Sequence, residues 1–160
     1  VMRIAVISDL HGDEPAAVRL DELTDADRAF ILGDGCDPII ERLAGRMPVT
    51  AVAGNCDGFS RYPAFAVEEV CGVRFFLTHG HLYPASDGYA ALSRAAKSRG
   101  CTFALAGHTH IAYTGKRNGV TIFNPGSPSR PRLKNPSFGL LEWRDGKFFP
   151  KILDIRPENC

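Results

Sequence analysis

Five short apolar runs along the chain each stop at a polar residue. RIAVIS (3–8) runs into Asp9, RAFIL (28–32) into Gly33 and Asp34, and VTAVA (49–53) into Gly54 and Asn55. VRFFLT (73–78) runs into His79, and TFALA (102–106) into Gly107 and His108. These runs are rich in β-branched residues and barely alternate, the pattern of strands covered on both faces, as in a sheet flanked by helices. Five strands are therefore expected to deliver polar groups to one edge.

Helix signals lie between them. Glu14 to Leu23 carries Pro15 where a first turn tolerates it, and Pro38 to Ala44 is a shorter candidate. Ser86 or Asp87 is placed to cap GYAALSRAAKSRG (88–100), in which Tyr89, Leu92 and Ala96 share one face and Gly100 marks the end. From Ile111 the texture changes to hairpins. Asn118-Gly119 separates two strand-like runs in IAYTGKRNGVTIFN, and Asp145-Gly146 does so in GLLEWRDGKFFPKIL. The alternating first part and meandering last part predict a layered α/β sandwich, two packed sheets with helices outside.

Composition narrows the class without changing this picture. At 160 residues, 44% hydrophobic and 23% charged, the chain reads as one globular domain, 1–160, with a sizeable core. Val1 ahead of Met2 is set aside from the fold argument. The net charge of +1 conceals no long basic block. The nearest approach is SRPRLK (129–134), too little for a nucleic-acid footprint. Five cysteines, at 36, 56, 71, 101 and 160, form no CxxC pair and suggest reduced thiols in the cytoplasm. The opening apolar run meets Asp9 and His11 too early for a signal peptide or a membrane span, so neither export nor insertion is expected.

Ligand sites of open α/β sheets lie beyond the carboxyl ends of the strands, where Asp9, His11, Asp34, Asn55, His79, His108 and His110 are expected to fall. If the chain is extended there, a two-residue spacing turns Asp9 with His11, and His108 with His110, each toward one centre. Any one of these motifs is common by chance. Four of the five histidines of the chain at strand ends, with two aspartates and an asparagine behind glycine, are not. Carboxylates, imidazoles and an amide oxygen suit manganese, iron, cobalt, nickel or zinc better than calcium or a thiolate cluster.

In order, DLH, GDGCD, GNCD, THGH and GHTH resemble the signature of the calcineurin-like metallophosphoesterase superfamily. Cys inside the third motif, THGH, and NPGS at 124–127 are similar to its small prokaryotic-type phosphodiesterase branch. The likeness runs from about residue 3 to 132. It implies a four-layer αββα sandwich of two mixed sheets flanked by helices. It further implies one metal held by Asp9, His11 and His110, a second by Asn55, His79 and His108, and Asp34 bridging the two. A carboxylate offers oxygens enough to bridge. Glycines at 33, 54 and 107 fit sharp turns that bring backbone and metal close.

The activity so implied is phosphodiester hydrolysis on a small substrate. A hydroxide shared by two divalent ions, manganese first among the candidates, attacks phosphorus, and Asn55 also orients the phosphate. The wider superfamily has His where this chain has Cys56, so the group that protonates the leaving oxygen is missing. A thiol is a weak donor, and diesters are expected over alkyl monoesters. His81 and Asp57 are the remaining catalytic candidates, to help at the leaving group or to hold His79 from behind. Ser127 and Arg130 border the pocket as loop residues, with Arg130 a candidate for phosphate. The rival readings are a scaffold, as in the subunit of the retromer sorting coat that shares this fold, and a nuclease. Relatives of this branch often self-associate, so a homo-oligomer is an expectation by analogy, and no membrane partner is expected.

Overall fold

The computed structural model describes residues 1–58 and 60–155; Cys160 lies outside them. β1 (Arg3–Ile7), β2 (Arg28–Ile31) and β3 (Val49–Ala51) run parallel, with β9 (Ser137–Arg144) antiparallel beside β1 and β10 (Lys147–Asp154) at the edge. The second sheet has the order β4 (Phe65–Val70), β5 (Val73–Thr78), β6 (Phe103–Leu105), β8 (Val120–Asn124), β7 (Tyr113–Arg117). There β5, β6 and β8 are parallel and the two outer strands antiparallel.

Period-two alternation sorts the apolar residues into layers. Ile4 and Val6 of β1 join Phe30, Phe75, Leu77, Phe103, Leu105 and Phe123 between the sheets. Ala5 and Ile7 face the other way, onto Ala17 and Leu20 of α1 (Glu14–Leu23) and Ile39 and Leu43 of α2 (Asp37–Ala44). On the opposite outer face Phe76, Ala104 and Ile122 pack against Leu92 and Ala96 of α3 (Ala90–Ser98). The result is the αββα sandwich. Both faces of β1 are apolar because both are covered, and a one-residue slip would exchange them.

Both hairpins expected from the sequence form, with left-handed φ of 51° and 76° at Asn118-Gly119 and 52° and 76° at Asp145-Gly146. A third, β4–β5, turns at Cys71-Gly72 with φ of 52° and 77°. Its first strand escapes sequence reading because it is a half-exposed edge carrying Glu68 and Glu69, and Cys-Gly is not among the usual turn pairs. α1 has Asp13 as its cap, whose carboxylate accepts Ala16 N–H at 3.0 Å. α3 is shorter than its 88–100 pattern. Asp87 still accepts from Ala90 and Ala91 N–H at 3.0 and 3.1 Å, across the left-handed pair Gly88 and Tyr89. Cys36, Cys56, Cys71 and Cys101 are free thiols. Among the described residues no helix is long and apolar enough to cross a membrane.

Candidate metal centre

The loops leaving β1, β2, β3, β5 and β6 meet at one end of the sandwich. Their chain is not extended: φ is positive at Asp9 (59°), His11 (52°), Asp34 (66°), His108 (72°) and His110 (61°). The spacing argument for paired histidines therefore fails, and His108 and His110 fall in different groups. Donor atoms of Asp9, His11 and His110 lie within 4.8 Å of one another, and so do those of Asp34, His79 and His108.

Left-handed backbone at residues other than glycine costs about 1–3 kcal/mol apiece and persists only where neighbours over-determine it. Here the loops hold one another. Asp9 N–H donates to Gly33 O and His11 N–H to Asp34 O, each at 2.9 Å, while Gly107 N–H donates to His79 O at 2.8 Å. Ser127, buried, donates its hydroxyl to Asp9 O at 2.8 Å and receives Arg130 N–H at 2.8 Å, so it braces the loop and does not face the cavity. Asn124 spans Gly107 O at 3.1 Å and Thr109 Oγ1 at 3.0 Å. A Cβ at Gly54 would fall on Asp34 Oδ1, and one at Gly107 on Ser8 Oγ and Asp9 Oδ2. These glycines are needed where backbone touches a carboxylate.

The polar atoms are only half satisfied among themselves. Asp9 is fully buried; its Oδ2 accepts Ser8 Oγ–H at 2.7 Å and His108 N–H at 2.9 Å. Its Oδ1 has no hydrogen-bond partner, although His110, His79 and His11 bring Nε2 atoms to 3.2, 3.7 and 3.9 Å. His79 Nδ1 lies 2.8 Å from Leu32 O, and His110 Nδ1 lies 2.7 Å from Arg130 O. Each ring thus spends its hydrogen on a backbone carbonyl and turns the Nε2 lone pair inward. There His110 Nε2 meets His11 Nε2 at 3.2 Å, and His79 Nε2 meets His108 Nδ1 at 3.3 Å and Asp34 Oδ2 at 3.1 Å. Lone pairs aimed at lone pairs repel unless a proton or cation stands between them. Backbone-anchored imidazoles around an orphaned carboxylate oxygen fit divalent metal.

Proton affinities follow this geometry. Burial alone would raise Asp34, but His79 and the Cys56 amide, which donates to Oδ1 at 2.9 Å, hold its carboxyl well below the usual carboxylate range. Burial opposes charging of His79, yet Asp34 and Asp9 carry it above its ordinary value. Burial lowers His11 and His108.

A cavity of about 570 Å³ opens over these atoms, lined by His11, Asp34, Asn55, Cys56, His108, His110, Arg130 and Arg132. Asn55 stands exposed at its rim, with Nδ2 3.5 Å from Cys56 Sγ. Burial and Asp34 push the Cys56 thiol upward, so it stays protonated. Two sequence expectations need correction. Asp57 does not hold His79 or face this cavity: its carboxylate accepts the N–H groups of Asp34 (2.9 Å), Gly35 (2.8 Å) and Gly54 (2.6 Å) and borders a separate cavity with Cys36 and Tyr62. His81 is exposed, outside both groups, its ring 5.6 Å from that of His79, whose anchor is Leu32 instead. Arg132 was not anticipated, since a charge on a loop carries no signal of what it faces.

Residues 2–146 match the model of the calcineurin-like phosphoesterase superfamily domain. A probable metallophosphoesterase of Methanothermobacter thermautotrophicus is 33% identical over 167 residues, spanning 99% of this chain and 96% of the relative. Phosphodiesterase YfcE of Escherichia coli is 33% identical over 169 residues, spanning 89% of this chain and 88% of the relative. Among solved structures, a conserved uncharacterized protein of Streptococcus pneumoniae superposes with a TM-score of 0.79 at 27% identity, covering 98% of this chain and 94% of its own. Vps29 of Entamoeba histolytica, solved with Zn²⁺, gives 0.74 at 23% identity over 96% of this chain and 99% of its own, a likeness of fold alone.

Proposed function

The chain belongs to the calcineurin-like phosphoesterase superfamily, and we propose that it is a binuclear metal-dependent phosphodiesterase acting on a small substrate. The observation that carries this reading is Asp9 Oδ1, buried, without a hydrogen bond, and ringed by three imidazole nitrogens. Asp9, His11 and His110 would hold one divalent ion; His79, His108 and the Asn55 amide oxygen would hold the other, with Asp34 between them. Manganese is the first candidate, and iron, nickel, cobalt or zinc suit the same donors. Bound there, the ions supply positive charge to the phosphate oxygens and lower the pKa of the attacking water.

The chain's own residues do the rest. Asp57 fixes the Asp34 and Gly54 backbone, so that Asp34 and Asn55 are presented without rearrangement. Asn55, at the rim, orients a phosphate oxygen through its amide. Cys56 keeps its proton but donates it weakly, and His81, outside the cavity lining and held below its ordinary value by desolvation and by His79, supplies no acid in its place. A leaving oxygen therefore takes its proton from solvent, which favours esters with good leaving groups and disfavours alkyl monoesters. A 570 Å³ cavity suits a small diester, in line with the name of the YfcE relative.

The test is metal analysis of protein purified without chelator, with turnover of a chromogenic diester. Two ions per chain and manganese-dependent turnover are expected. Less than one ion and no turnover with added manganese would favour the scaffold reading that the Vps29 fold suggests. A nuclease would need stacking surfaces, and no Phe, Tyr or Trp lines the cavity among the described residues.

A further inference from the structure

We propose that Arg130 and Arg132 form a second anion subsite beside the metal centre, so that the substrate is a phosphodiester with a further negative charge on one ester arm. The inference rests on the phosphodiesterase reading above. Both arginines line the same cavity as His11, Asp34 and His110. Among the described residues neither guanidinium has a hydrogen-bond or ion-pair partner. Arg3, Arg42, Arg46, Arg74 and Arg144, by contrast, all face carboxylates. Lys134, the third cation of the loop, is spent on Ala112 O at 2.8 Å.

The backbone that carries the two arginines is bonded to the centre itself. Arg130 O takes the His110 ring hydrogen at 2.7 Å, Arg132 N–H donates to His110 O at 2.9 Å, and Arg130 N–H donates to Ser127 Oγ at 2.8 Å. Their position relative to the scissile phosphate is thereby set, and only the side chains remain to be ordered by a ligand.

Charge decides what they bind. Two divalent ions are balanced by the Asp9 and Asp34 carboxylates, the attacking hydroxide and the single charge of a diester. Two more cations on the wall exceed what a diester with neutral arms neutralises, and such a surplus draws further negative charge into the cavity, the more so at low salt. A second phosphate or a carboxylate on the substrate gives them a partner, and guanidinium presents the paired donors that such a group accepts.

Two p-nitrophenyl diesters with the same leaving group decide it: one arm ends in a phosphate monoester, the other in a hydroxyl. For the manganese-loaded wild type, kcat/KM is expected to favour the charged arm by about tenfold, through KM, and to lose that preference in 0.5 M KCl. Arg130→Gln with Arg132→Gln should remove the preference, and the paired Lys variant should keep part of it. Equal kcat/KM for both diesters in the wild type, or an equal loss on both in the Gln pair, overturns the subsite. Turnover of neither diester by the wild type overturns the phosphodiesterase reading, and the subsite with it.

Discussion

His79 Nδ1 lies 2.8 Å from the Leu32 carbonyl oxygen, so the ring gives its hydrogen to the backbone and faces Asp34 Oδ2 with Nε2 at 3.1 Å. In the metal-free protein a proton on Nε2 completes that second contact when the ring is charged. Burial works against the charged ring, but Asp34 and Asp9 raise His79 above its ordinary 6.5. A raised histidine stabilises the fold fully below its unfolded value, and the stabilisation is lost as pH rises through the folded one. A bound cation takes the proton's place. The Tm of metal-free protein should therefore fall as pH rises above 6.5, while that of manganese-loaded protein holds, so the gap between them widens. His11 and His108, lowered by burial, act in the opposite sense, and only near and below pH 6.5 where the unfolded rings charge. Calorimetry at several pH values with and without chelator measures it; a constant gap would count against a shared proton and metal position.

Asp57 accepts three backbone N–H groups from two loops and so ties Asp34 and Gly35 to Gly54. Asp57→Ala leaves those donors to water or to nothing. The expected cost is about 2 to 4 kcal/mol by urea unfolding. Asn, which keeps one acceptor, should cost less. Because Asp34 and Asn55 are then less well placed, metal affinity should fall in step with stability.

Asp34→Asn removes the charge that faces both His79 and the cavity. The amide oxygen can still accept Cys56 N–H, but the group opposite His79 Nε2 becomes an NH₂ and the negative charge is gone. Metal content should drop from two ions to at most one, and turnover to background, and the metal-free fold should lose the stabilisation that the Asp34 charge gives it through His79. Full metal content in this variant would remove Asp34 from between the ions.

How far the sequence carries is clear from individual residues. The strand ends were legible because each apolar run and its polar stop are local, and the layers follow from alternation within runs such as Ile4 to Ile7. Strand β4 was not legible, since an edge strand has one covered face and its Glu68 and Glu69 erase the pattern. The parting of His108 and His110 came from the family motifs and not from their spacing: left-handed φ at histidine is imposed by neighbouring loops, and propensity gives no warning of it. The work of Asp57 depends on the loops after β2 and β3 meeting, which is a fact of tertiary structure alone.

Gly107→Ala tests the close approach behind Asp9. The added methyl falls on Ser8 Oγ and Asp9 Oδ2, the atoms that orient the carboxylate, and Gly107 is held by its own N–H to His79 O. Overpacking of this kind costs about 1–3 kcal/mol. Asp9 is expected to turn away from His110, with loss of one ion per chain by metal analysis. An unchanged metal content would mean the loop has room that its packing denies.

Cys56→His asks whether the absent acid sets the substrate class. Cys56 N–H holds Asp34 Oδ1 whatever side chain it carries, so the centre should tolerate the change. Its side chain lines the cavity and is exposed, which gives an imidazole both room and a path to the leaving oxygen. General acid catalysis commonly contributes about 10² to 10⁴ in rate, most with leaving groups of high pKa. Turnover of alkyl monoesters should rise toward that range, while a p-nitrophenyl diester, whose leaving group needs no proton, should change little. The monoester rate should also gain an acid limb as pH falls toward about 6.5, where an ordinary imidazole charges. If the ratio of monoester to diester turnover stays at the wild-type value, the preference arises from the shape and charge of the cavity, and the thiol is a bystander.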